Sequence, residues 1–177
     1  QGGAIGNRYF LTCSYGVTSW ICFDGKIGVG DVAWRNSEPG NLNYNTGFAG
    51  GYGFRIKGYE NKELGIKTVA GFQHISVHPK ATHLGTVKNK AILDDWQTSL
   101  LISREFKKFT RYLGTRWSRL DYIHRVSDTR KRKMSDLTKS IGFIYGLDIA
   151  LTESSWINLE ASAFDSGALA ASLNLKF

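Results

Sequence analysis

The chain has 177 residues, a formal charge of +8, 20 glycines, 2 prolines and 1 methionine. That length suits one domain, and the residue balance favours twisted sheet over a helical bundle. No apolar run approaches the ~20 residues of a membrane-spanning helix, whereas a mean hydropathy of −0.25 is compatible with a barrel of half-apolar strands.

Residues 1–19 fit a strand pattern least well. Tyr9-Phe10-Leu11 opens an extra strand, a plug for a barrel mouth or a free arm, and a start at Gln1 rather than Met is compatible with a removed export signal. The chain therefore divides into an N-terminal arm or extra hairpin (1–19) and one strand-rich domain (20–177). Cys13 and Cys22 are too few for a disulfide scaffold, although their spacing permits a bridge in an oxidising compartment. They lack a second nearby pair, so no metal site is expected.

From residue 20 onward, period-2 alternation recurs. Segment 20–34 places Ile21, Phe23, Ile27 and Val29 on one face; 46–57 sets Phe48, Tyr52, Phe54 and Ile56 against glycines, Arg55 and Lys57. Segments 64–74 and 92–104 are noisier, with Ile66 and Phe72 opposite Lys67, then Trp96, Leu100 and Ile102 opposite Asp95. In 112–123 the row Leu113, Thr115, Trp117 continues into Arg119 and Asp121, so its second half is read as projecting beyond an apolar layer. Segment 140–151 alternates most clearly, with Ile144 as its one exception, and 156–164 and 168–177 follow. This makes eight strands, or ten if a hairpin forms between Tyr9 and Phe23. Long connections (35–45, 75–91, 124–138) alternate with short ones, an asymmetry known from outer-membrane barrels. With an even strand count, both termini fall at the short-turn end.

The polar row carries Lys26, Arg55, Lys57, Lys67, Asp95, Arg116, Asp148 and Glu160. A soluble barrel turns large apolar residues inward and charges outward. Here the glycine-rich, charged row is better placed in a narrow wet lumen, because an Arg or Lys facing mid-bilayer costs roughly 2–4 kcal/mol. Trp34, Tyr44, Tyr59, Phe109, Tyr112 and Trp156 are candidates for interfacial girdles.

On this pattern, from residue 20 to Phe177, the chain resembles the small eight-stranded outer-membrane barrels of Gram-negative bacteria, the OmpA/OmpX-like group. The resemblance implies an all-β, closed, antiparallel up-and-down transmembrane barrel, integral to the outer membrane and exported through the periplasm. It also implies that Leu173, Leu175 and Phe177 form the terminal signal read by the barrel assembly machinery. The positive charge departs from a generic member.

The densest charge feature is Arg130-Lys131-Arg132-Lys133, between Asp128 and Asp136. In an external loop it would capture lipopolysaccharide phosphates, an anionic glycan or an acidic protein. Nucleic acid is not expected, since no aromatic platform or reading helix accompanies the cluster. The reading is a membrane anchor with basic ligand-binding loops. A small, porin-like pore preferring anions is the alternative, and a lipid-modifying hydrolase or acyltransferase the second. Ser76 lies in one stretch with His74 and His78, but a Ser–His pair needs hydrogen-bond reach and an orienting third group. Asp94 and Asp95, as strand neighbours, point to opposite faces. No catalytic residue, cofactor or enzyme activity is assigned.

Overall fold

The computed structural model describes residues 3–35, 42–126, 129–134 and 140–177. These form one antiparallel sheet of twelve strands, correcting the expected eight and the ten-stranded alternative. In chain order they are β1 (Gly3–Ile5), β2 (Arg8–Gly16), β3 (Ile21–Arg35), β4 (Leu42–Asn61), β5 (Ile66–His78) and β6 (Thr82–Leu84). Then follow β7 (Val87–Phe106), β8 (Phe109–Val126), β9 (Thr129–Met134), β10 (Ile141–Ala150), β11 (Ser155–Ala163) and β12 (Ala168–Leu175). β1 and β2 share β3 as partner, β5 and β6 share β7, and β9 and β10 share β8. Twelve strands less these three mergers leave nine staves.

The count rose for two reasons. Residues 3–16 pair along β3 from Gly3↔Arg35 to Gly16↔Cys22, so most of the stretch read as an arm or extra hairpin forms strand paired with β3. The long connections 75–91 and 124–138 contain paired hairpins, β6–β7 and β8–β9. An odd number of staves also separates the ends. Gly3 pairs near the end of β3, whereas the Lys176 amide donates to the Ser154 carbonyl at 2.8 Å beside the 151–154 turn. The expectation that both termini share the short-turn end is therefore corrected.

The sheet is strongly curled. Arg8 of β2 reaches Asp95 of β7 at 3.0 Å although β3, β4 and β5 lie between them in the sheet. Trp34 of β3 stacks on Tyr122 of β8 with ring centroids 4.1 Å apart. Both contacts cross the hollow on the concave face. Glycine also makes room for large side chains on this face: a Cβ on Gly146 would run into the Tyr112 ring, and one on Gly142 into the Asp165 carboxylate. Among the described residues, no pairing joins β12 to β1 or β2.

The apolar core sits in the hollow at the long-loop end. Val32, Trp34, Leu42, Tyr44, Val77, Leu93 and Tyr122 are all buried there, each large apolar side chain contributing roughly 1.5–3 kcal/mol. A register shift between Gly30 and Val32 of β3 against Gly47 and Tyr44 of β4 brings Tyr44 and Leu42 onto this face. Such a bulge flips the side-chain row of one strand without breaking the ladder. Trp34, Tyr44 and Tyr112 thus face the hollow rather than an outer girdle.

Candidate functional site

The eight charges of the polar row all lie on the concave face, in several separate hydrogen-bonded clusters. Lys26 Nζ donates to Gln73 Oε1 at 2.6 Å, and Gln73 Nε2 to Gln97 Oε1 at 2.6 Å. Gln97 Nε2 then donates to Asp95 Oδ2 at 2.9 Å, which also accepts from Arg8. Lower down, Arg55 grips Asp24 at 2.6 and 2.8 Å, and Lys57 and Lys67 flank Glu60. On the other side Tyr112 donates to Glu160 at 2.9 Å, and Asn158 donates to Asp148 at 2.8 Å. Arg116 clamps the buried Asp165 through two nitrogens at 2.7 and 2.9 Å. Burial works to raise the Asp165 carboxyl, but the Arg116 guanidinium and the Ser118 hydroxyl bring it below the ordinary carboxylate value. Every charge here has a partner, which is what holds ions stably in a narrow hollow.

The second assembly is the pair of hairpins at the long-loop end. Register aligns Lys90 of β7 with Arg125 of β8, and Arg125 with Arg130 of β9. His124 stands opposite Lys131 in the next row. All three members of the Lys90–Arg125–Arg130 row are exposed. Like charges directly opposite one another destabilise a sheet, and among the described residues no carboxylate neutralises this row or Lys131. The other two basic residues are engaged: Arg132 pairs with the fully buried Asp121, and Lys133 lies 5.6 Å over the Trp34 ring. Burial, and then the nearby Lys131 charge, push His124 below its ordinary value. The open cations are therefore Lys90, Arg125, Arg130 and Lys131. Lys90 and Arg125 escape a sequence reading because only the register brings them beside the basic run. Asp128 and Asp136 lie outside the described residues.

A third cluster sits on the convex face. Ser76 Oγ lies 2.9 Å from His78 Nε2 and donates to Asp94 Oδ1 at 2.5 Å. His74 Nε2 is 3.6 Å from the same carboxylate oxygen and, among the described residues, is the one buried side-chain nitrogen or oxygen without a hydrogen-bond partner. His74, Ser76 and His78 share a face because they are two residues apart on β5; Asp94 joins them because it pairs with Ser76 across the β5–β7 ladder.

Leu173, Leu175 and Phe177 are exposed, the first two in an outward row with Leu169. Cys13 and Cys22 are free. They occupy opposite faces of the β2–β3 hairpin, Cys13 in the outward row with Tyr9 and Leu11 and Cys22 beside Arg55, so of the two alternatives, free or bridged, this structure has the free form. Among the described residues no metal-binding cluster occurs. Comparison of the chain with protein-family models, curated proteins and solved structures gave no match.

Proposed function

We propose that the curled sheet is the wall of a barrel integral to an outer membrane, and that its basic hairpins engage an anionic ligand outside the bilayer. One observation carries the reading: the polarity of the middle of the sheet is inverted relative to a soluble domain. Leu100, Leu113, Phe143 and Tyr145 are 55–60 % exposed, and they adjoin through Leu100↔Thr115, Phe143↔Thr115 and Tyr145↔Leu113. The facing row holds the ion-paired network. Monomeric proteins in water rarely expose apolar patches beyond a few hundred Å², whereas hydrocarbon accepts such a wall and forbids the charges. β7 has 20 residues, about twice the 9–11 that a tilted strand needs to cross, so its hairpin stands well clear of the layer.

The unpaired row Lys90–Arg125–Arg130, with Lys131, suits several phosphates or sulfates at once: lipopolysaccharide, an anionic glycan or an acidic protein face. The terminal row ending at Phe177 suits recognition by the assembly machinery. A filled hollow, with apolar packing at one end and an ion-paired network below, favours an anchor over a pore.

Two measurements test this. Expressed with an export signal, the protein should fractionate with outer membranes and migrate differently on a denaturing gel before and after boiling. Detergent-purified protein should bind phosphorylated lipopolysaccharide more tightly than its dephosphorylated form, with affinity falling as salt rises from about 0.01 to 0.15 M. The combined Arg125→Gln and Arg130→Gln variant should lose most of that salt dependence. Unchanged binding would overturn the ligand assignment.

A further inference from the structure

The convex cluster on β5 and β7 has the parts of an acyl-transfer site. Ser76 supplies a hydroxyl, and His78 Nε2 lies within hydrogen-bond reach of it at 2.9 Å. Asp94 holds the same hydroxyl at 2.5 Å from the neighbouring strand. One proton is thus offered to two acceptors, and rotation about the Cβ–Oγ bond hands it from Asp94 to His78. The orphaned His74 Nε2 then has a role. When Ser76 gives its proton to His78, Asp94 Oδ1 loses its donor, and His74 stands 3.6 Å away to replace it. His74 is fixed for that task by stacking on Trp96, with centroids 4.0 Å apart, and by Tyr52 at 5.3 Å. A buried nitrogen without a partner is destabilising, and an exception of that kind calls for an explanation.

The surroundings specify a substrate class. Toward the short-turn end the same face continues into Tyr52, Leu100 and Ile102, all exposed apolar side chains. In the opposite direction stand cations. Asp94 pairs in register with Asp121, whose two oxygens are held by Arg119 and Arg132, and both guanidiniums remain partly exposed. The two arginines balance Asp121 and Asp94, and their part-exposed guanidiniums leave N–H donors open to an anion beside the serine. The cluster therefore sits between an acyl-binding wall and an anion-binding rim.

We propose that Ser76, His78 and Asp94 form an esterase site on the outer wall, acting on acyl esters of phosphate-bearing lipids. Ser76 Oγ attacks the ester carbonyl while its proton passes to His78 Nε2. The carbon–oxygen bond to the alcohol breaks, the alcohol leaves with the proton from His78, and an acyl-Ser76 ester remains. Water, deprotonated by His78, attacks that ester; the Ser76 oxygen leaves and recovers the proton from His78, and a carboxylic acid is released, which then ionises in water. Asp94 and His74 are positioning residues that act through Ser76. The lipid part of the proposal rests on the membrane reading; the serine chemistry does not.

The test uses the full chain purified in detergent, a fluorophosphonate probe, and p-nitrophenyl laurate and acetate as substrates. The probe should form one adduct, located by peptide mass spectrometry at Ser76 and absent in Ser76→Ala. His78→Ala should slow both labelling and laurate turnover by about 10²–10⁴, the usual contribution of a general base, while the gel shift on boiling stays as in the parent. Asp94→Asn should lower kcat with little change in KM, and Asp94→Glu should recover part of it. Laurate should be cleaved faster than acetate. Mixed micelles of phosphatidylglycerol should be hydrolysed faster than diacylglycerol, a preference that Arg119→Gln with Arg132→Gln removes. Absence of an adduct at Ser76, or equal labelling in a folded His78→Ala protein, overturns the site. Equal rates on the two lipids overturn the headgroup assignment. A protein that labels at Ser76 but fails to float with phosphatidylglycerol vesicles keeps the serine site and loses the membrane reading.

Discussion

On β4, Phe48 and Tyr52 are 57 % and 54 % exposed on the convex face, whereas Leu42 and Tyr44 of the same strand are 6 % and 2 % exposed. The contrast recurs along the sheet. β3 turns Phe23, Ile27 and Val29 outward and then Val32 and Trp34 inward; β5 does so between Phe72 and Ile75. On β7 the apolar row moves from Ala91 and Leu93 to Trp96, Leu100 and Ile102, with Asp94 and Asp95 at the crossing. On β8 it moves from Leu113 and Trp117 to Tyr122. Each of these five staves is built inside-out over one part of its length and like a water-soluble protein over the other. Such a switch is expected where one strand passes between two media, since a side chain is driven to the face whose surroundings suit it.

Leu93→Ala should have the largest effect on this contrast. It leaves a cavity in the concave core and should cost about 2–5 kcal/mol, measured by denaturant unfolding. Leu113→Ala, equal in chemistry, should cost far less in a bilayer, because lipid chains refill the space. Equal losses would remove the distinction between the two halves. Next comes Leu113→Arg, expected to cost roughly 2–4 kcal/mol in lipid vesicles. Val87→Arg, at the exposed hairpin start, should stay within about 0.5 kcal/mol of the parent. The smallest effect concerns acid. Asp165 is held below its ordinary value by Arg116, so its contribution is fully present above the unfolded carboxyl value, near 3.8. It is lost as pH falls through the lower folded value, where the native carboxylate must take up a proton. Urea midpoints measured downward from pH 5 should decline, and Asp165→Asn should decline less steeply over the same range.

The same contrast explains what the sequence made legible. Segment 140–151 stays on one side of the switch for nearly its whole length, and its alternation reads cleanly. Ile144, its exception, is buried on the concave face. Segments 92–104 and 112–123 cross the switch, so one strand carries two opposite patterns and looks noisy, whereas 64–74 ends just short of it. Residues 8–16 alternate too, with Tyr9, Leu11 and Tyr15 exposed, but Phe10 blurs them by packing against the apolar core. The RKRK run reads as a solvated loop because nothing local signals its pairing with β8. At the Ser76 cluster, the spacing of His74, Ser76 and His78 is visible in the sequence. Asp94, eighteen residues from Ser76, required the ladder.

The nine staves have a consequence for how this wall meets itself. Neighbours run in alternate directions, so the first stave and the ninth run the same way. If those two edges joined, the seam would be parallel, with evenly spaced, slanted bonds that are slightly weaker per residue than an antiparallel ladder. An all-antiparallel circumference instead requires one additional strand lying between Tyr9 and Leu173. If the edges do close, the parity of the staves makes that seam the line where the wall would first part, and where another backbone could be admitted.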